Sequence, residues 1–112
     1  MISEKLVQAI NKQIVAEMWS ANLYLSMSYF VKQQGFDGFA HWLKKQSVEE
    51  MEHSYGLADY VIKRGGNVVI GKVDEVPVAW DSIAALFKNV YEHECKVSAM
   101  IDELVNLASD LR

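Results

Sequence analysis

The chain has 112 residues, enough for one domain with a modest core, and carries a formal net charge of −4 from 11 basic and 15 acidic residues. That balance argues against a nucleic-acid binder, which needs a basic stripe, and mildly favours attraction of cations. One cysteine (Cys95) allows no intramolecular disulfide, Met1 to Leu6 lack the apolar core of a signal peptide, and no apolar run approaches the roughly 18 residues of a membrane span; a soluble protein of the reducing cytoplasm is expected.

Glycines punctuate the chain into three long helical segments. The first is predicted from about Ser3, its N-cap, to residue 34, where Gly35 stops it. Its apolar face reads Leu6, Ile10, Ile14, Ala21, Tyr24 and Leu25, and Glu17 falls in the middle of that face. The short link Gly35–Gly38 implies an antiparallel helical hairpin, with Asp37 as N-cap of a second helix over about 38–64. That helix stops at Gly65–Gly66. Residues 65–81 are β-branched and broken by Gly71 and Pro77. They read as an extended crossover that packs its valines and Trp80 on the bundle. Fifteen extended residues reach about 50 Å, more than the about 40 Å of a 27-residue helix, so the third helix can start parallel to the second. It is predicted over about 82–110 with Asp81 or Ser82 as N-cap and an apolar face of Ile83, Phe87, Val90, Val97, Ile101 and Val105, with Glu94 at its centre. The fold class is all-α: an up-down bundle with one long crossover, here with three long helices.

The chemistry concentrates in Glu49-Glu50-Met51-Glu52-His53. Glu50 and His53 lie one turn apart on nearly one face. Around Glu50, the residues Phe39, Leu43, Leu57 and Val61 form an apolar stripe with no lysine or arginine near it. An ionised carboxylate there costs several kcal/mol unless a cation meets it. Glu49 points towards the seam edge. Glu52 faces away, and His41 reads as a surface or packing residue. Three helices thus each place one glutamate, Glu17, Glu50 and Glu94, mid-length in an apolar seam. Together without a counter-ion these would repel, and some would stay protonated. Two divalent cations would balance them, and a carboxylate-rich set with one imidazole suits iron or manganese. Tyr24, one heptad after Glu17, is either a hydrogen-bonding or redox partner of the site or a core tyrosine. His93 and Cys95 flank Glu94 on other faces, and neither has a second ligand at zinc-finger spacing.

In these motifs the chain resembles the bacterial non-haem ferritins. The resemblance rests on Gln13–Glu17 with Tyr24–Met27, on Gly38–Trp42 leading to Glu49–His53, on Ile62–Gly66, and on His93-Glu94. It implies a diiron ferroxidase centre in which Glu17, Glu50 and His53 bind the first iron, Glu50 bridges, and Glu94 holds the second. Glu49 matches a third iron site, and Tyr24 the tyrosine beside the pair. It also implies oxidation of Fe(II) by dioxygen or peroxide and storage of the ferric product in a shell of 24 subunits. The family's fourth and fifth helices have no counterpart in the 112 residues. The expectation is therefore either a piece of a longer chain, for which cleavage after Arg112 is one route, or a seam covered by a second chain. Two other readings stay open: a bacterioferritin- or rubrerythrin-like oxidoreductase, and a metal-free helical interaction module.

Overall fold

The computed structural model describes residues 1–111, and over them the chain forms three helices and no strand. These are α1 (Glu4–Gln33), α2 (Asp37–Lys63) and α3 (Ile83–Asp110). Arg112, the last residue of the predicted domain, lies outside the described residues.

Side chains cap two of the helix starts. Ser3 Oγ accepts from the Leu6 amide at 3.2 Å and Ser82 Oγ from the Ala85 amide at 3.0 Å, each cap being worth about 1 kcal/mol. The second helix departs from expectation. Phe36 occupies its N-cap position without a side-chain bond, and Asp37 is its first residue. The aspartate acts there through its charge, at the positive end of the helix. Gly35 and Gly65 end α1 and α2 with φ of +89° and +84°, a conformation that costs glycine nothing.

α1 is the axis of the fold. Ser28, Ser47 and Ser54 donate to the carbonyls of Ala40, Ala21 and Ile14 at 2.6, 2.7 and 3.2 Å. Partner numbers fall along α1 as they rise along α2, so the two run antiparallel. On α3, His93 meets Ser20 and Glu94 meets Tyr24, while Trp80, just before α3, packs on Phe30 near the far end of α1. α3 is thus also antiparallel to α1 and parallel to α2. The crossover gains that length along α1. Asn11 Nδ2 donates to the Asn67 carbonyl, Trp19 Nε1 to that of Glu75 and Ser26 Oγ to that of Pro77. Its apolar residues divide: Val68, Val73, Val76 and Trp80 are half-buried, whereas Val69 and Val78 are exposed. An extended chain shows alternate residues to opposite sides, so only part of the valine set can pack.

Two buried clusters hold the helices together. One joins Leu23, Tyr24, Met27 and Val31 to Leu43, Leu86 and Val90, and the other joins Leu6, Ile10 and Ile14 to Val61. Between them α1 carries Glu17 and α2 carries Glu50. No Cα of α2 comes within 8 Å of a Cα of α3 among the described residues, so the two flank an open cleft floored by α1. Phe39 packs on Phe87 at its rim, with ring centroids 5.0 Å apart, yet remains 45% exposed. Val105, expected on the apolar face of α3, is 59% exposed.

Candidate metal centre

Helix periodicity puts Glu17 in register with Ile10 and Ile14, and the packing of α1 on α2 brings it opposite Glu50. Both carboxylates are buried. His53, one turn beyond Glu50, stands at the cleft edge with its side chain 61% exposed. Its Nδ1 lies 3.7 Å from Glu17 Oε2 and 3.5 Å from Glu50 Oε2. One potential ligand atom from each residue falls within 4.8 Å of the others. A cation at the centre of such a triangle reaches all three.

The electrostatics mark this as a site built for a positive charge. Gln13 Nε2 donates to Glu17 Oε1 at 3.1 Å, which orients that carboxylate and leaves its second oxygen free. Glu17 Oε2 and Glu50 Oε2 are buried without a hydrogen-bond partner. Buried polar atoms are nearly always satisfied, and two orphans side by side ask for a shared partner. Burial, followed by the carboxylate of Glu17 and the charges of Glu94 and Glu49, pushes the Glu50 carboxyl up to about 9. A hard divalent cation would reverse that cost, meeting both orphan oxygens and the imidazole lone pair at once.

Glu94 approaches from α3 but is not one of the three clustered ligands. The Tyr24 hydroxyl donates to its Oε1. Tyr24 is fully buried. Burial first, and then its bond to Glu94, push the phenol well above the usual tyrosine range. Glu49 is exposed and outside the cluster, although its charge reaches Glu50. Glu52 and His41 are exposed. Of the six residues singled out in the sequence, the structure gathers Glu17, Glu50 and His53 into one triangle. It pairs Tyr24 with Glu94 beside them and leaves Glu49 on the rim.

Two participants figure in the sequence only as members of matching motifs, with no role of their own. Gln13, one turn before Glu17, shows only the spacing that allows an i,i+4 bond. His93, read as flanking Glu94 on another face of its helix, is buried against α1. Its Nε2 lies 2.7 Å from Ser20 Oγ, and its ring packs between Trp19 and Tyr24. Burial lowers its affinity for a proton, partly offset by the charge of Glu94.

Residues 7–112 match the family model described as a ferritin-like domain. A bacterial non-heme ferritin of Bacteroides fragilis is 58% identical over 109 residues, which are 97% of this chain and 69% of that protein. One from Escherichia coli is 31% identical over 108 residues, 96% of this chain and 66% of its own length. The fold superposes on an open-pore ferritin from the hyperthermophilic archaeon Archaeoglobus fulgidus with a TM-score of 0.95 at 46% identity, covering 98% of this chain and 68% of that one. With motif, fold and similarity over nearly the whole of this chain in agreement, this chain belongs to the ferritin-like family.

Proposed function

We propose that the chain is a subunit of an iron-storage protein that takes up Fe(II) at this site and oxidises it with dioxygen or peroxide. The observation that carries this reading is the pair of buried, unpartnered oxygens, Glu17 Oε2 and Glu50 Oε2, with His53 Nδ1 beside them. In this reading Glu17, Glu50 and His53 hold the first iron. Glu50 bridges to a second held by Glu94, and Glu49 serves a third position at the rim. Iron when bound supplies the electron transfer to the oxidant. The protein's part is to present oxygen ligands that suit both oxidation states, to orient Glu17 through Gln13, and to keep Tyr24 protonated beside Glu94. Assembly into a closed homo-oligomeric shell and a cytoplasmic location belong to the same proposal. They agree with the acidic composition and with the absence, among the described residues, of a helix long and apolar enough to cross a membrane.

Anaerobic titration with Fe(II) tests the site. Glu17→Ala and Glu50→Ala should each weaken the tightest equivalent by about tenfold or more, as loss of a ligand or of the group that orients it commonly does. Unchanged affinity in both variants would reject the site and favour a metal-free interaction module.

A further inference from the structure

Among the described residues two side-chain hydrogen bonds join α1 to α3, and they are neighbours: Ser20 with His93, and Tyr24 with Glu94. The second involves a predicted ligand. The first touches no ligand of the cluster, yet it is the more deeply buried of the two. We propose that His93 is a positioning residue of the metal centre: held by Ser20 as the Nε2–H tautomer, it sets through Tyr24 where the Glu94 carboxylate points.

Ser20 Oγ lies 3.0 Å from the Ala16 carbonyl, which can only accept, and 2.7 Å from His93 Nε2, which donates or accepts according to its tautomer. A serine hydroxyl has one proton to give. In the proposed arrangement that proton goes to the carbonyl, and Nε2 carries the hydrogen of the shorter bond. The bond is directional, and it fixes the imidazole plane relative to α1.

Position makes this consequential. α3 has three buried residues, Leu86, Val90 and His93, and none of its described residues beyond His93 is buried. His93 is thus the last buried residue of α3 among those described, and the only polar one of the three; beyond it Leu104, Leu107 and Ala108 pack half-buried on the cluster of Leu6, Ile10 and Ile14. Its ring stands 5.4 Å from that of Trp19 and 5.9 Å, edge-on, from that of Tyr24. Ser20 and Tyr24 lie one turn apart on the same face of α1, while His93 and Glu94 are consecutive. The rotation of α3 about its own axis that satisfies Ser20 is therefore the rotation that brings Glu94 to the Tyr24 hydroxyl. An apolar side chain of similar size at position 93 would fill the slot without fixing that rotation.

The test separates the bond from the packing. His93→Phe keeps a ring and removes the donor, and Ser20→Ala removes the acceptor. His93→Gln supplies an amide donor near the place of Nε2. The first readout needs no metal: the 13Cζ resonance of Tyr24, assigned by its loss in Tyr24→Phe, reports the hydrogen bond to Glu94. It should move towards the resonances of exposed tyrosines in His93→Phe and Ser20→Ala and stay in place in His93→Gln. The second readout, which rests on the iron-binding reading above, is titration with Co(II) followed by visible absorption. The Glu94-dependent equivalent should weaken by about tenfold in His93→Phe and Ser20→Ala, with the first equivalent little changed, and recover in His93→Gln. An unmoved Tyr24 resonance in His93→Phe overturns the proposal. So does equal weakening of both equivalents, which would mean general loss of structure. Failure of the unaltered protein to bind Co(II) or Fe(II) would sink the iron reading and leave the resonance test standing.

Discussion

The Tyr24 hydroxyl on α1 donates a hydrogen bond to Glu94 on α3, so the third acid of the seam is engaged by a phenol and is not one of the clustered ligands opposite. Burial, and then that bond, hold the phenol above its usual range. A group whose pKa is raised by folding contributes stability that is complete below its unfolded value, about 10, and is lost as pH rises through the folded one. In an alkaline absorbance titration, one of the five tyrosines should therefore ionise only as the protein unfolds. Tyr24→Phe should remove that late step. A titration with no Tyr24-dependent late step would contradict the arrangement.

Glu50 predicts a pH dependence of opposite practical interest, at neutral pH. Its carboxyl rises from 4.5 to about 9 on folding. Between those values the folded metal-free chain holds a proton that the unfolded chain has released. Stability from this group is complete below about pH 4.5 and falls as pH climbs to about 9. Thermal melts of metal-free protein should show Tm declining across that window, and Glu50→Gln should flatten the decline. At pH 8 the variant should melt about 4 °C or more above the parent, with little difference at pH 5. Binding of a divalent ion should release a proton at pH 7, measurable by pH-stat and absent in the variant.

His53 and Glu52 are adjacent, both exposed, and chemically distinct in prospect. His53 Nδ1 lies within 3.7 Å of two buried carboxylates, whereas Glu52 is not among the clustered ligands. His53→Ala should weaken the first Fe(II) equivalent by about tenfold or more, and Glu52→Ala by less than about twofold. Equal effects, read by anaerobic titration, would mean that the faces of α2 are assigned wrongly.

Gly66 and Gly56 should respond oppositely to alanine. A Cβ at Gly66 would stand 2.8 Å from Val7 Cγ2 and 2.9 Å from Val61 Cγ1. Gly66→Ala should cost about 1–3 kcal/mol through overpacking. Gly56 lies inside α2 with open space around it, so Gly56→Ala should stabilise by about 0.5–1 kcal/mol through helix propensity. Urea denaturation of the two variants measures both signs.

Much of this was legible in the residues. Glu17 and Glu50 betray themselves because a charge at the centre of a 3.6-residue apolar period has no solvent to face. Gly35 and Gly65 mark the helix ends because glycine adopts positive φ at no steric cost, and both do so here. The inter-helix contact was less legible. Ser28, Ser47 and Ser54 are buried, but a serine pattern reads as polar surface, and only tertiary packing shows each hydroxyl meeting a carbonyl of the neighbouring helix. Phe39 and Val105 fall on faces that periodicity makes apolar and yet are exposed, since periodicity names a face and not what lies across from it. His93 was hidden for the same reason: adjacency to Glu94 fixes an angle of about 100° between them on the helix, and either direction was available until α1 was in place.

The proposed first ion takes all its ligands from residues 17, 50 and 53, which belong to a single helical hairpin closed by three residues, Gln34, Gly35 and Phe36. Affinity at that position should therefore report on the docking of two sequence neighbours, whereas a position that needs Glu94 depends also on a helix that enters only after the long crossover. The proposed centre has a half local to one hairpin and a half supplied from far along the chain.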